Sequence, residues 1–176
     1  IFEGIKNGKI NENTIPVPLT RYSQSKLASE LLLLSARNSF PLGISILRPA
    51  FTYGRGMKPE RMIPFFIREL SESSNITVHK PASSIELTYL PDFCRVLLNI
   101  LDGKQVVQVV NLVNEVLSKK ELVETLKITM SAKTNIDYGD NISDILMDRA
   151  VCNELYNELL VEQDVSKCID TFRSII

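Results

Sequence analysis

Metal-binding side chains are scarce in this sequence. Its 176 residues include three cysteines and one histidine, His79. The cysteines lie far apart, at Cys94, Cys152 and Cys168, and no two of them form a CxxC pair, so we expect neither a zinc site nor a disulfide framework. One histidine without a second ligand nearby makes no metal site either. The sequence therefore predicts no metal, and reduced cysteines buried in a cytoplasmic protein.

An excess of positive charge is also absent. The chain has 20 basic and 21 acidic residues, which give a formal net charge of -1 at pH 7. A chain without a basic excess is poorly suited to neutralise a phosphate backbone, so we expect no nucleic-acid partner. The longest aliphatic run is Leu31–Leu34, whereas a membrane helix needs about 20 residues. No leader for secretion opens the chain, so we expect no membrane contact and a cytoplasmic location.

The composition is otherwise that of a globular protein. Hydrophobic residues make up 44% of the chain and charged residues 23%, which excludes a disordered chain. The length fits one domain, or one and a part. The first residue is Ile1 rather than methionine, so we expect a piece of a longer protein. None of the seven glycines belongs to a GxxGxxG turn, the motif that holds a pyrophosphate at the start of a helix.

Predicted helices alternate with short apolar strands. We predict a loop over residues 1–18, helices over 20–38, 64–70, 91–101 and 118–130, strands over 44–47, 76–79, 86–89 and 106–112, and two further helices after about residue 143. The alternation indicates an α/β protein with a parallel sheet that helices cover. Because such sheets bind ligands at the carboxyl ends of their strands, we expect a site in the loops after Leu47 and around Leu112.

The motif YSQSK at residues 22–26 has the spacing that acid–base chemistry needs. Tyr22 and Lys26 are four residues apart in a predicted helix, so they share one face of it. A phenol has a pKa of about 10 and is a weak acid at neutral pH, but an adjacent ammonium group favours the phenolate. Such a tyrosine can exchange a proton with a substrate oxygen while a hydride moves. Taken alone, the spacing also fits an ordinary exposed helix face.

Further motifs follow in a defined order. YSQSKLASE at residues 22–30 precedes a predicted strand, RPAFTYGRG at 48–56, TYLPD at 88–92 and VNL at 110–112. In this order the chain resembles the extended short-chain dehydrogenases, the NAD-dependent epimerase/dehydratase family of oxidoreductases. The resemblance extends over nearly all 176 residues, but over no more than the C-terminal half to two-thirds of such a protein.

The resemblance implies a fold and a division of the chain. It implies an α/β fold, namely the C-terminal portion of a Rossmann-like parallel sheet plus a small α+β substrate-binding subdomain. Residues 1–56 and 86–113 would belong to the NAD(P)-binding part, and residues 57–85 and 114–176 to the substrate-binding subdomain. The cofactor would be NAD or NADP, the substrate a nucleotide sugar, and a homodimer is expected as well.

The resemblance also implies roles for single residues. Tyr22 would be the catalytic acid/base, and Lys26 would hold the nicotinamide ribose and make Tyr22 easier to ionise. Both would therefore contact the cofactor, together with Pro49 and Ala50 at its nicotinamide end. Asp92 would open the helix after the TY pair, a structural role in which the helix dipole favours the carboxylate.

Two departures from the family pattern bear on the substrate. Most sugar epimerases of the family carry asparagine where this chain has Phe51, and an arginine that binds diphosphate where it has Ile85. These details are more similar to the dTDP-4-dehydrorhamnose reductase-like branch, so a nucleotide-sugar reductase is favoured over a UDP-hexose epimerase. The expected substrate-binding residues are Phe51, Arg55 and Arg61, with the two arginines as substitute phosphate ligands.

Three interpretations stay open at this point. The family's catalytic serine or threonine would fall immediately before Ile1, and the phosphate-binding glycine turn is missing, so this chain by itself is expected to be inactive. The protein it belongs to is then either an NAD(P)-dependent reductase, epimerase or dehydratase, or a non-catalytic binding or regulatory subunit of the same fold. Intact Tyr22 and Lys26 favour the enzyme, because a scaffold needs neither.

Overall fold

The structure is a computed structural model that describes residues 1–5, 10–37, 39, 43–103 and 109–139. Within these residues, short strands and helices follow one another along the chain. Their bounds are α1 Arg21–Ala36, β1 Ile46–Pro49, β2 Phe51–Tyr53, α2 Met62–Glu72, β3 Asn75–Val78, β4 Ser84–Tyr89, α3 Leu90–Leu101, β5 Val109–Leu112, β6 Glu115–Ser118, α4 Lys119–Met130 and β7 Asn135–Tyr138. The predicted α/β class is confirmed.

The described strands pair mostly in parallel. Strand β1 pairs in parallel with β5, β2 with β4, and β3 with β7. Strand β6 lies antiparallel on the other side of β4. The chain passes from the first sheet to the second at Ala50, between β1 and β2. The carboxyl end of β1 therefore lies at the junction of two sheets.

Helix ends follow local capping chemistry. Thr20 and Ser23 form a reciprocal capping box at the start of α1, and Ser118 and Glu121 form a second at the start of α4. Each box provides partners for backbone N–H groups that the first helical turn leaves free. The predicted starts of these two helices are confirmed, and Gly103 has the left-handed φ of 69° expected just beyond α3.

Three short strands were not predicted from the sequence. Strand β2 lies in the RPAFTYGRG segment, which reads as a loop, and β6 and β7 have four residues each. Strand β1 also runs through Pro49 instead of ending before it, because a proline is tolerated at a strand end, where a missing N–H costs little. The helices predicted after residue 143, and the strand residues 106–108, lie outside the described residues.

Two hydrophobic cores lie against the three sheets. The larger core lies between α2, α4, strand β3 and the sheet β2–β4–β6, with Tyr53, Ile63, Leu87 and Leu122 among its fully buried members. The smaller core lies between α3 and the sheet β1–β5 and consists of Val96, Val110 and Leu112 with partly buried neighbours. None of the helices in the described part has the length and hydrophobicity that a membrane crossing requires.

Candidate active site

Helix α1 presents Tyr22 and Lys26 together. The Lys26 Nζ atom lies 5.4 Å from the centre of the Tyr22 ring. The tyrosine side chain is 71% exposed, so a ligand can reach it. A cation at this distance from a phenol ring is attracted to it, and at an exposed position the attraction is worth about 0.5–1 kcal/mol. The structure thus brings the phenol and the ammonium group together, as their spacing in the sequence predicts.

The two side chains line a cleft of about 310 Å³. Pro49 lies in the same cleft, at the carboxyl end of β1. The remaining lining residues are Ile1, Glu30, Leu47 and Arg48. The cleft therefore has a phenol and an ammonium group on the helix side and apolar Leu47 and Pro49 on the sheet side. It lies at the end of a parallel strand, where ligands are expected.

Ala50 lies beside this cleft, in a second cavity of about 260 Å³ that shares Ile1, Arg48 and Pro49 with the first. The Ala50 N–H donates to Thr88 Oγ1 at 2.9 Å and to the Leu112 carbonyl at 3.0 Å. The Thr88 hydroxyl, which is fully buried, donates in turn to that carbonyl at 2.5 Å. The threonine of the TY motif therefore fixes the backbone just after Pro49.

A partly buried ion pair lines the first cleft, and its arginine, Arg48, also lines the second cavity. Arg48 donates to both carboxylate oxygens of Glu30, with Nη2–Oε2 at 2.6 Å and Nε–Oε1 at 3.0 Å. Both side chains are less than 15% exposed, and the guanidinium lies 5.3 Å from the centre of the Phe2 ring. A bidentate contact of this kind fixes orientation as well as distance. It connects α1, the helix of Tyr22, to β1, the strand of Pro49.

The three expected substrate-binding residues do not all come together. The Arg61 guanidinium lies 5.7 Å from the centre of the Phe51 ring. Arg55 is exposed in the turn after β2. Neither cavity described above is lined by these three side chains. Gly54 in the same turn has a φ of 153°, and a Cβ atom there would lie 3.0 Å from Leu90 Cβ, so the turn packs closely on α3.

Ile85 and Asp92 have structural surroundings. Ile85 is buried in the larger core. Asp92 is fully buried in the first turn of α3, where it accepts a hydrogen bond of 2.6 Å from Asn114 and pairs with Arg95 at 3.0 Å. Burial raises the pKa of the Asp92 carboxyl above its ordinary value, while the Asn114 hydrogen bond opposes this. Its position at the helix start agrees with the structural role expected from the sequence.

Glu3 is a residue that the sequence analysis missed. Its carboxylate accepts hydrogen bonds from the backbone of Leu19 and Thr20 and from the hydroxyls of Thr20 and Ser23. These bonds, that of Ser23 first, lower the pKa of Glu3 from 4.5 to about 2. A capping box at Thr20 can be foreseen from local sequence, but a carboxylate 17 positions away from it cannot.

The part of the chain that carries the motifs matches a known protein family. Residues 4–113 match the model of the NAD dependent epimerase/dehydratase family. The matched region contains the YSQSK, RPAFTYG and TYLPD motifs.

This chain belongs to the NAD-dependent epimerase/dehydratase family.

Relatives of known description are similar to this family member over most of its length. The Low-salt glycan biosynthesis protein Agl12 of Haloferax volcanii is 29% identical over 128 residues, which are 72% of this chain and 41% of that protein. A variant of UDP-glucuronic acid 4-epimerase from Bacillus cereus, in complex with a fluorinated UDP-glucuronic acid and NAD, has a TM-score of 0.80 at 20% identity over 98% of this chain and 59% of that one. RMD from Pseudomonas aeruginosa, complexed with NADPH, has a TM-score of 0.78 at 19% identity, over 95% and 61%.

These similarities establish the Rossmann-like fold of epimerase/dehydratase structures for this chain. The same comparisons show how much of each relative the chain spans. The chain spans about two fifths of the curated relative and about three fifths of each solved chain.

Proposed function

We propose that this chain is the C-terminal part of an NAD(P)-dependent enzyme that acts on nucleotide sugars. The observation that carries the proposal is the position of Tyr22 and Lys26 on one helix face, in one cleft with Pro49 at the carboxyl end of β1. NAD or NADP would supply or accept the hydride at a sugar carbon. Tyr22 would hold or release the matching proton at a sugar oxygen.

The chain's residues fit the nicotinamide end of such a cofactor. The cleft joins a cationic side chain, which suits ribose hydroxyls, to the apolar surface of Leu47 and Pro49, which suits a flat ring. Lys26 would donate to the ribose, and Pro49 and Ala50 would lie against the nicotinamide. The sequence contains no GxxGxxG turn for the pyrophosphate. That half of the site would come from another part of the full-length protein, meaning this chain with any residues that flank it naturally.

We further propose reduction of a keto-sugar nucleotide as the net reaction. Most epimerases of the family have an asparagine at the position of Phe51. Phe51 offers an aromatic surface there, and Arg61 lies beside it. Ile85 is buried in the larger core and has no charge to offer a diphosphate. Arg61 and the exposed Arg55 would contact the phosphates. These features favour the dTDP-4-dehydrorhamnose reductase-like branch over UDP-hexose epimerases.

The arrangement of the chain is a further part of the proposal. Residues 1–56 and 86–113 would form the NAD(P)-binding part and residues 57–85 and 114–176 the substrate-binding subdomain. The larger core crosses these bounds, because Tyr53 and Leu87 belong to it together with Ile63 and Leu122. The exposed leucines Leu31 and Leu32 on α1 support a homodimer. A cytoplasmic location stays a prediction from the sequence.

A substrate panel tests this proposal. The full-length protein is mixed with NADH or NADPH and a series of keto-sugar nucleotides, and cofactor oxidation is followed by the loss of absorbance. A parallel assay follows interconversion of UDP-glucose and UDP-galactose. We expect net oxidation with at least one keto-sugar nucleotide. Rapid interconversion without net oxidation would replace the reductase by an epimerase, and no turnover of any kind would favour the alternative, a non-catalytic subunit of the same fold.

A further inference from the structure

Residues 1–5 pack against the chain that leads into helix α1. The Gly4 N–H donates to the Val17 carbonyl at 2.8 Å. A Cβ atom on Gly4 would lie 2.4 Å from Val17 Cγ1, so the two segments are too close for any side chain at this position. The contact brings the neighbouring residue, Glu3, to the start of the helix.

Glu3 meets four donors at the first turn of α1. Its carboxylate accepts from the backbone N–H groups of Leu19 at 2.9 Å and Thr20 at 3.1 Å. It also accepts from the hydroxyls of Thr20 at 3.0 Å and Ser23 at 2.5 Å. Ser23 is 1% exposed and is the one buried residue in α1. Glu3 is therefore joined to the part of the helix that is itself fixed in the protein.

Helix α1 has no acidic residue in its own first turn. The start of a helix carries a partial positive charge, and a carboxylate placed there stabilises it. Glu3 supplies this stabilising negative charge from outside the helix. The same hydrogen bonds keep its carboxyl ionised, because they lower its pKa to about 2.

Glu3 and its hydrogen-bond partner Ser23 are each close in sequence to a residue that lines the cleft. Ile1, two residues before it, lines the cleft with Tyr22 and Lys26, and Tyr22 directly precedes Ser23. One carboxylate thus fixes the spacing between the two walls of the cleft. We propose that Glu3 is a positioning residue that holds Tyr22 at its working distance from the Ile1 wall. This inference rests on the proposed function, in which Tyr22 transfers the proton.

Two carboxylate variants of the full-length protein test the inference. Glu3→Gln keeps the size of the side chain but removes the charge and one of its two accepting oxygens. Glu121→Gln is the matched control, because Glu121 accepts from the backbone and hydroxyl of Ser118 at 2.7 Å each at the start of α4. Both variants weaken a helix start, and Glu121 is not among the residues that line the cleft.

The kinetic readout separates positioning from stability. We expect Glu3→Gln to lower kcat roughly tenfold or more, since small misplacements of a reacting group are costly. The KM values for cofactor and sugar should change by less than about twofold. Glu121→Gln should leave kcat unchanged, even where it lowers Tm by as much. Equal kcat values for the two variants would overturn the inference.

A structural readout keeps the inference testable if the wild-type protein turns nothing over. The NMR chemical shifts of the Tyr22 ring are measured in the full-length protein. They should be the same in wild type and Glu121→Gln and displaced in Glu3→Gln. Unchanged Tyr22 shifts in Glu3→Gln would overturn the inference, whereas inactivity of the wild type would overturn only the proposed function. Should Glu3→Gln fail to fold, Ser23→Ala removes the shortest of the four bonds and should displace the same signals.

Discussion

The core beside α2 and α4 differs from the core beside α3 in size. In the described part of the chain, twelve buried residues form the larger core, whereas three form the smaller one on β1 and β5. The helices near the smaller core also expose leucines, with Leu32 on α1 and Leu101 on α3 each 71% exposed. Exposed apolar patches on a domain commonly mark surfaces that other protein covers.

The difference separates the part that holds the larger core from the part that carries Tyr22 and Lys26. Tyr22, Lys26 and Pro49 lie on elements next to the smaller core, and their cleft is open. Phe51 and Arg61 lie at the edge of the larger core. The contrast supports the proposal that the cofactor side is completed by further protein, in agreement with the chain spanning about three fifths of its structural neighbours.

The same substitution in the two regions gives the largest expected contrast. Leu122 is fully buried in the larger core, so Leu122→Ala should lower the free energy of unfolding by about 2–5 kcal/mol. Leu32 is mostly exposed on α1, so in this chain by itself, where no other protein covers the helix, Leu32→Ala should change the free energy of unfolding by no more than about 0.5 kcal/mol. Urea unfolding of both variants measures the difference. Equal losses would show that α1 is packed as firmly as α4.

Loss of the Thr88 hydroxyl, at the junction of the sheets β1–β5 and β2–β4–β6, should have an effect on stability of intermediate size. Thr88→Val removes the buried hydroxyl that joins the Ala50 N–H to the Leu112 carbonyl, and should cost about 1–2 kcal/mol. Thr52→Val is the matched control, since Thr52 makes a longer bond of 3.3 Å to the Ala50 carbonyl. Thermal unfolding compares the two variants. If the control is the more damaging, Thr88 does not hold the junction.

The smallest expected effect is a pH dependence at the start of α1. The pKa of Glu3 is about 2 in the folded protein, against an ordinary 4.5. A lowered pKa contributes stability above pH 4.5 that is lost as the pH falls from 4.5 towards 2. Unfolding midpoints measured across this range should therefore fall less steeply for Glu3→Gln than for the wild type. Parallel curves would mean that the carboxylate gains nothing from its four donors.

Local chemistry made some of this architecture predictable. The capping residues Thr20 and Ser118 mark the starts of α1 and α4, and the four-residue spacing of Tyr22 and Lys26 is enough to put them on one helix face. Four-residue strands such as β7 have too few positions to show a period. Contacts across long sequence separations, such as Arg48 with Glu30, depend on how the sheet packs and leave no local pattern.

The central claim is that Tyr22 transfers the proton. Tyr22→Phe removes one hydroxyl from an exposed ring in the cleft, so it should leave folding intact and lower turnover of the full-length protein at least about a hundredfold. Tyr138→Phe, which removes a hydroxyl bonded to Glu124 away from the cleft, serves as the control and should retain turnover. Turnover of Tyr22→Phe within about threefold of the wild type would contradict the account.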